Sequence, residues 1–285
     1  MRKITGLREL RPRFEGFLVD LWGVIHDGER PFAGVAEGLA ALAADGARVC
    51  FVSNSSRLGS QLADSLVSMG LPREHFVDVV SSGDVTRRAL VERDPAVLSA
   101  WPERPRAIHI GNAAFAPWLF ELPFDFVDDL DEAEVVVSTG TVPDRAALET
   151  LQARLAPTAR RGVPLVCTNP DRLVRTATGL HLAPGAVAHA YADLGGPTFF
   201  YGKPHAPIYR AALARIGVAK DQVVGIGDML DTDVLGARDA GLASVLVTAS
   251  GVHSADLGED TDDSLRALCE KNQATPDHVL ERFVW

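Results

Sequence analysis

Three cysteines in 285 residues, Cys50, Cys167 and Cys269, are too few and too widely spaced for a disulfide framework or a Cys-x-x-Cys zinc site. Cys50 and Cys167 lie in apolar, strand-like runs, "RVCFV" and "PLVCT", and read as small buried hydrophobes. Blocks of Lys and Arg are missing too. With 38 acidic against 28 basic residues and a formal net charge of −10, a nucleic-acid or lipid-headgroup surface is disfavoured. An anionic small substrate is not excluded, because a divalent cation and one well-placed Lys can reverse the local field. No run of about 18 apolar residues occurs, and the opening "MRKITGLRELRPRF" lacks the continuous apolar segment of a secretory leader. The expectation is a cytoplasmic protein with no membrane partner. No repeat of about 20 to 50 residues and no low-complexity segment appears.

What is present is the balance of a globular chain, 47% hydrophobic and 23% charged, at a length that allows one large domain or two smaller ones. Short apolar runs alternate with segments of helical period: "GFLVD", "GVAEGLAALAADG", "ARVCFVSN", "GSQLADSLVSMG". In the last of these Leu58, Leu62, Leu66 and Met69 share one helical face and Gly70 supplies a stop. Strand, helix, strand, helix implies an α/β fold with a parallel sheet. The alternation returns as "PIYRAALARIGV", "QVVGIGD", "DTDVLGARDAGL" and "ASVLVTASG", and between the halves lies a second α/β series from "RAIHIGN" to "PGAVAHAYADLG". The economical reading is a Rossmann-like core, 1–82 and 199–285, interrupted by an inserted α/β domain, 83–198.

Ligands bind outside the carboxyl ends of strands in such sheets. Asp20 ends "GFLV", Ser53 ends "RVCFV", Asp228 ends "QVVGIG", and Lys203 follows "TFFYG". Each has a plain structural alternative. Asp20 and Ser53 suit turns or helix caps, Lys203 suits a solvated surface, and "GIGDMLDTD" suits a polar loop. Jointly they suggest phosphoryl chemistry: a carboxylate nucleophile at Asp20, Mg²⁺ on oxygen ligands including Asp228, and Ser53 with the Asn54 backbone N–H cradling phosphate. Lys203 would neutralise charge.

The ordered set "DLWGV", "VSNSS", "YGKP" and "GDMLDTD" resembles the four motifs of the haloacid dehalogenase-like (HAD) phosphohydrolases. The insertion carrying "CTNPD" and "LAPGAVAHA" is similar to the C2-type cap of their class IIA. The resemblance implies a HAD core with a C2 cap and a Mg²⁺-dependent phosphatase for a small phosphorylated metabolite. In it Asp20 is the nucleophile, Ser53 the phosphate-binding hydroxyl, Lys203 the basic residue and Asp228 a metal ligand. It further implies Asp233 as that motif's second acid, a main-chain metal contact from Trp22, and homo-oligomers formed through the cap.

The sequence departs from the family at Trp22, where its phosphatases place a second Asp as general acid and base. Such assistance is worth about 10² to 10⁴ in rate, so an unassisted site would favour good leaving groups or serve as a phosphate-ligand binding protein with little turnover. His26, or less favourably Asp27, stands where a flap residue could replace the missing acid, unless both are ordinary surface residues. In the inserted domain Asn169, Asp171, Arg172 and the turn Leu182 to Ala186 are the candidate substrate contacts, although Asn-Pro-Asp and Pro-Gly also form turns on their own account.

Overall fold

The computed structural model describes residues 1–176, 179–255 and 261–285. In chain order the strands are β1 (Arg2–Ile4), β2 (Gly16–Val19), β3 (Arg48–Ser53), β4 (Asp78–Ser81), β5 (Arg106–Ile110), β6 (Asp125–Phe126), β7 (Val135–Ser138), β8 (Leu165–Cys167), β9 (Leu173–Thr176), β10 (Gly179–Leu182), β11 (Thr198–Phe200), β12 (Val223–Gly227), β13 (Ala243–Val247) and β14 (His278–Leu280). The helices are α1 (Val35–Ala44), α2 (Gly59–Ser68), α3 (Ser82–Val91), α4 (Arg145–Arg160), α5 (Pro184–Asp193), α6 (Ala206–Ile216), α7 (Leu235–Asp239) and α8 (Thr261–Asn272).

Contacts divide the chain into two compact units. Met1–Ser53, Gly59–Val80 and Lys203–Trp285 form the first; Asn54–Leu58 and Ser81–Gly202 form the second. The expected boundaries shift in three places, the smallest at the first crossing, where Ser81 and Ser82 join the second unit. Asn54–Leu58 leaves the first unit, taking Leu58 off the α2 face and into an apolar cluster with Trp118 and Tyr201. β11 pairs with β8, so the second crossing lies after Gly202 rather than at residue 198.

The first unit carries a seven-stranded sheet of order β1-β14-β13-β12-β2-β3-β4. The registers described between β1 and β14, and from β14 through to β3, are parallel. Both faces are covered, as continuous apolar strands require. Val245 and Val247 of β13 enter a cluster with Leu39 and Leu42 of α1 and Leu62 and Leu66 of α2, while Leu246 between them joins Leu265 and Leu268 of α8. Each such fully buried aliphatic side chain contributes about 1.5–3 kcal/mol. Gly217, at φ 64°, ends α6 in the left-handed conformation that glycine adopts without penalty.

The second unit repeats the plan with a five-stranded parallel sheet, β11-β8-β7-β5-β6, and an antiparallel hairpin of β9 and β10. Val136 faces one apolar cluster and its neighbours Val135 and Val137 the other. The stretch "SSGDVT" opens α3 through a capping box. Ser81 Oγ accepts the Asp84 N–H, and the Asp84 carboxylate accepts the Ser81 N–H, both at 3.0 Å. The run "AAFAPWLF" forms two short 3₁₀ turns, Ala113–Phe115 and Pro117–Glu121, with Pro117 starting the second. Among the described residues no helix is long and apolar enough to cross a membrane.

Candidate active site

Strand register brings the carboxylates together. β2 lies between β12 and β3, Val19 pairs with Ile226, and the Asp20 N–H donates to the Ile226 carbonyl at 2.9 Å. Asp20 and Asp228 therefore leave neighbouring strands at the same rim, and Ser53 is the last residue of the strand on the other side. All three are buried.

Asp233 reaches the same place through a backbone irregularity. The segment expected to start a helix instead makes one π turn, Leu230–Val234, before α7. Such turns re-aim a side chain, and here Asp233 folds back so that its Oδ2 accepts the Met229 N–H at 3.1 Å. Glycine permits this. A Cβ on Gly227 would collide with the Asp233 carboxyl group.

Lys203 is only 4% exposed and joins two of the acids. Its Nζ donates to Asp20 Oδ1 and to Asp233 Oδ1, each at 2.6 Å. Asp228 is held by the main chain, its Oδ2 accepting the Val252 N–H at 2.9 Å. Carboxylate oxygens of Asp20, Asp228 and Asp233 lie within 4.8 Å of one another. Three carboxylates thus face one ammonium. Burial, and then the charges of Asp20 and Asp233, push the Asp228 carboxyl well above the usual carboxylate range.

The residues after Asp20 form a tight flap. Trp22 is half-buried and its main chain pairs with that of His26, which pairs in turn with Pro31. His26 Nδ1 accepts the Gly28 N–H at 3.0 Å, and burial lowers the imidazole pKa. Asp27 is exposed. Its Oδ1 accepts the N–H groups of Arg30 and Glu29, which hold it below the usual range as a carboxylate. Asp27 is thus held in its charged form, the less suited of the two flap candidates to give up a proton.

Asn54 clusters with the second unit, where its Nδ2 donates to Asp171 Oδ1 at 2.7 Å. Asn169 Oδ1 accepts the Asp171 N–H at 2.9 Å, an Asx turn, so the Asn169 side chain is engaged in the turn's own bonding and the Asp171 side chain in the bond to Asn54. Arg172 is exposed and its carbonyl accepts the Ala183 N–H. Leu182–Ala186 spans the end of β10 and the start of α5, with Pro184 at the first helical position. Burial pushes the thiols of Cys50 and Cys167 up to about 12, as inert core groups require.

Sequence reasoning missed the glycines that make room for Asp228. Gly23 (φ 84°) and Gly251 (φ 96°) would each drive a Cβ into its carboxyl group. Gly23 sits inside the first motif and was open to this reading; Gly251 and the Val252 N–H lie 23 and 24 residues after Asp228, with no local signal.

Family models described as haloacid dehalogenase-like hydrolase match residues 17–120 and 103–241, and one described as HAD-hydrolase-like matches 200–284. A solved haloacid dehalogenase-like hydrolase from Brucella suis 1330 is 32% identical, with 99% of this chain and 100% of that chain covered and a TM-score of 0.80. The chain belongs to the haloacid dehalogenase-like hydrolase family. Ribonucleotide monophosphatase NagD of Escherichia coli K12 is 27% identical over 244 residues, 84% of this chain and 89% of that protein. A dihydroxyacetone phosphatase of Corynebacterium glutamicum strain R is 40% identical over 87 residues, which span only 32% of that protein. The buried group of Asp20, Lys203, Asp228 and Asp233 is the candidate catalytic centre of this HAD-like hydrolase.

Proposed function

We propose that the protein is a Mg²⁺-dependent phosphatase that hydrolyses a small organic phosphate through an aspartyl-phosphate on Asp20. The observation that carries the reading is the buried Lys203 ammonium bonded at once to Asp20 and Asp233, with Asp228 completing the cluster. The donor set fits a hard cation: it offers carboxylate oxygens, and the excess negative charge that pushes Asp228 upward is what a cation relieves. Asp20, Asp228 and Asp233, with the Trp22 carbonyl, would hold Mg²⁺, which when bound neutralises charge on the phosphoryl group.

Asp20 carries the bond changes. A carboxylate oxygen attacks phosphorus, the bond from phosphorus to the leaving-group oxygen breaks, and water then cleaves the acyl phosphate, returning the carboxylate and inorganic phosphate. Lys203, fixed against Asp20, offsets the charge of nucleophile and phosphate, and Ser53 at the adjacent strand end offers a hydroxyl to a phosphate oxygen. Trp22 has no proton to give. His26 uses Nδ1 as an acceptor, so its neutral ring carries the proton on Nε2, from which it assists the leaving group weakly. Substrates with good leaving groups are favoured. The net charge of −10 disfavours nucleic acid and anionic membrane surfaces as partners, which leaves a free phosphorylated metabolite of the cytoplasm as the proposed substrate.

Phosphate release from 4-nitrophenyl phosphate and a panel of metabolite phosphates, with Mg²⁺, tests the reading. Asp20→Asn is expected to lower turnover by at least about 10³-fold; continued release by that variant would sink the proposal. His26→Ala is expected to slow an alkyl phosphate, and no change there removes His26 from the mechanism. Trp22 favours one second reading, a phosphate-ligand binding protein with little turnover, which the same assay recognises as thermal stabilisation by ligand without phosphate release.

A further inference from the structure

The residues next to two site groups are gathered by a single turn. Asn54 follows Ser53 directly, and Gly202 directly precedes Lys203. Both are held by Thr168–Asp171, the turn after β8, and all of these belong to the second unit. Asn54, 3% exposed, donates from Nδ2 to Asp171 Oδ1 at 2.7 Å. Ser56 Oγ and Thr168 Oγ1 are 2.5 Å apart, and Thr168 Oγ1 donates to the Ser138 carbonyl at 3.0 Å, so Ser56 is the donor of that pair. Gly202 is pressed into the same turn: a Cβ there would stand 2.5 Å from Asn54 Oδ1 and 2.7 Å from Pro170 Cδ.

The turn is itself anchored. Asn169 Oδ1 accepts the Asp171 N–H, the Asp171 carbonyl accepts the Gly185 N–H at the start of α5 at 3.0 Å, and Trp118 Nε1 donates to the Ser56 carbonyl at 2.9 Å. A buried amide aimed at an acceptor on a rigid support is an orienting contact, and a carboxylate so engaged is poorly placed to greet a substrate.

We propose that Asp171 is a positioning residue. By accepting from Asn54, in the clasp that also packs Gly202, it fixes the backbone that leaves Ser53 and the backbone that enters Lys203. The inference rests on the reading of Ser53 and Lys203 as phosphate-handling groups, and it replaces the expected substrate contact of Asp171. The bond needs an acceptor oxygen at this position, not a negative charge. Loss of the acceptor removes the bond that ties the buried Asn54 amide to the turn, and a displacement of about 1 Å at the reacting groups lowers the rate roughly 10²-fold.

Asp171→Ala is therefore expected to lower kcat/KM roughly 10²-fold, by one factor for 4-nitrophenyl phosphate and for a sugar phosphate alike, and to weaken competitive inhibition by inorganic phosphate. Asp171→Asn keeps the oxygen and is expected to return most of the rate. The proposal is overturned if the Asn variant is as slow as the Ala variant, or if the loss follows the leaving group while phosphate inhibition is unchanged. Either outcome places the Asp171 charge on the substrate. Should melting show that Asp171→Ala does not fold, Asp171→Asn decides alone, by retaining activity or losing it. Asp20→Asn, assayed beside them, separates the two layers: phosphate release that survives it overturns the site reading itself, whatever Asp171 does.

Discussion

The two units share a plan and differ at the rim. In each, a parallel sheet is apolar on both faces and ends in polar residues at the carboxyl side of its strands. At the ends of β7 and β8 in the second unit the polar groups are neutral and mostly paired: Thr139 Oγ1 bonds His109 Nε2 at 2.6 Å, and Thr168 Oγ1 bonds the Ser138 carbonyl and Ser56 Oγ, while the Ser138 hydroxyl is buried without a partner. At the rim of the first unit three carboxylates share one buried ammonium, and the Asp228 carboxyl is pushed upward. The fold supplies positions, and the residues placed at the strand ends decide whether those positions store charge for chemistry or close hydrogen bonds for stability.

The widest separation between the units comes from removing the cation. Lys203→Met removes the one ammonium that faces the buried acids, so the metal-free variant is expected to lose about 3–5 kcal/mol in urea unfolding, together with turnover. Unchanged stability would mean that the ammonium does not balance the cluster. A next test adds the missing charge. The folded Asp228 carboxyl keeps a proton that the unfolded chain, titrating near about 4, has released, so this group's contribution is favourable below that pH and is lost as pH rises towards the folded value. Mg²⁺ is therefore expected to raise Tm more near neutral pH than near about pH 5, with about 2.7 kcal/mol of stabilisation at a hundredfold excess over Kd. An equal shift at both pH values would disconnect the metal from this carboxyl group.

A smaller effect probes the room that glycine provides. Gly227→Ala is expected to cost about 1–3 kcal/mol by forcing Asp233 aside, and to weaken Mg²⁺ stabilisation in a thermal melt; full retention of both would show that Asp233 can relax. The smallest effect belongs to the second unit. Asp144 caps α4, its Oδ1 accepting the Ala147 N–H at 2.8 Å, and Asp144→Ala is expected to cost about 1 kcal/mol while turnover stays unchanged. Loss of activity there would break the division of labour between the rims.

Much of this was legible along the chain. Alternating apolar runs announce parallel sheets because strand and helix periods are local properties, and Asp20, Ser53, Lys203 and Asp228 stand out because each ends or follows such a run. The sequence by itself therefore determined the strand ends and the residue types that wait there. Tertiary structure alone decided their partners. Lys203 meets Asp20 across 183 positions and Asp233 across 30, and Asn54 meets Asp171 across 117. A π turn chose Asp233 for the ammonium, and the Gly28 N–H claimed one nitrogen of His26. The first set of facts depends on hydrophobic period and the second on register, close approach at glycine and the satisfaction of buried polar groups, none of which is written in a local window of sequence.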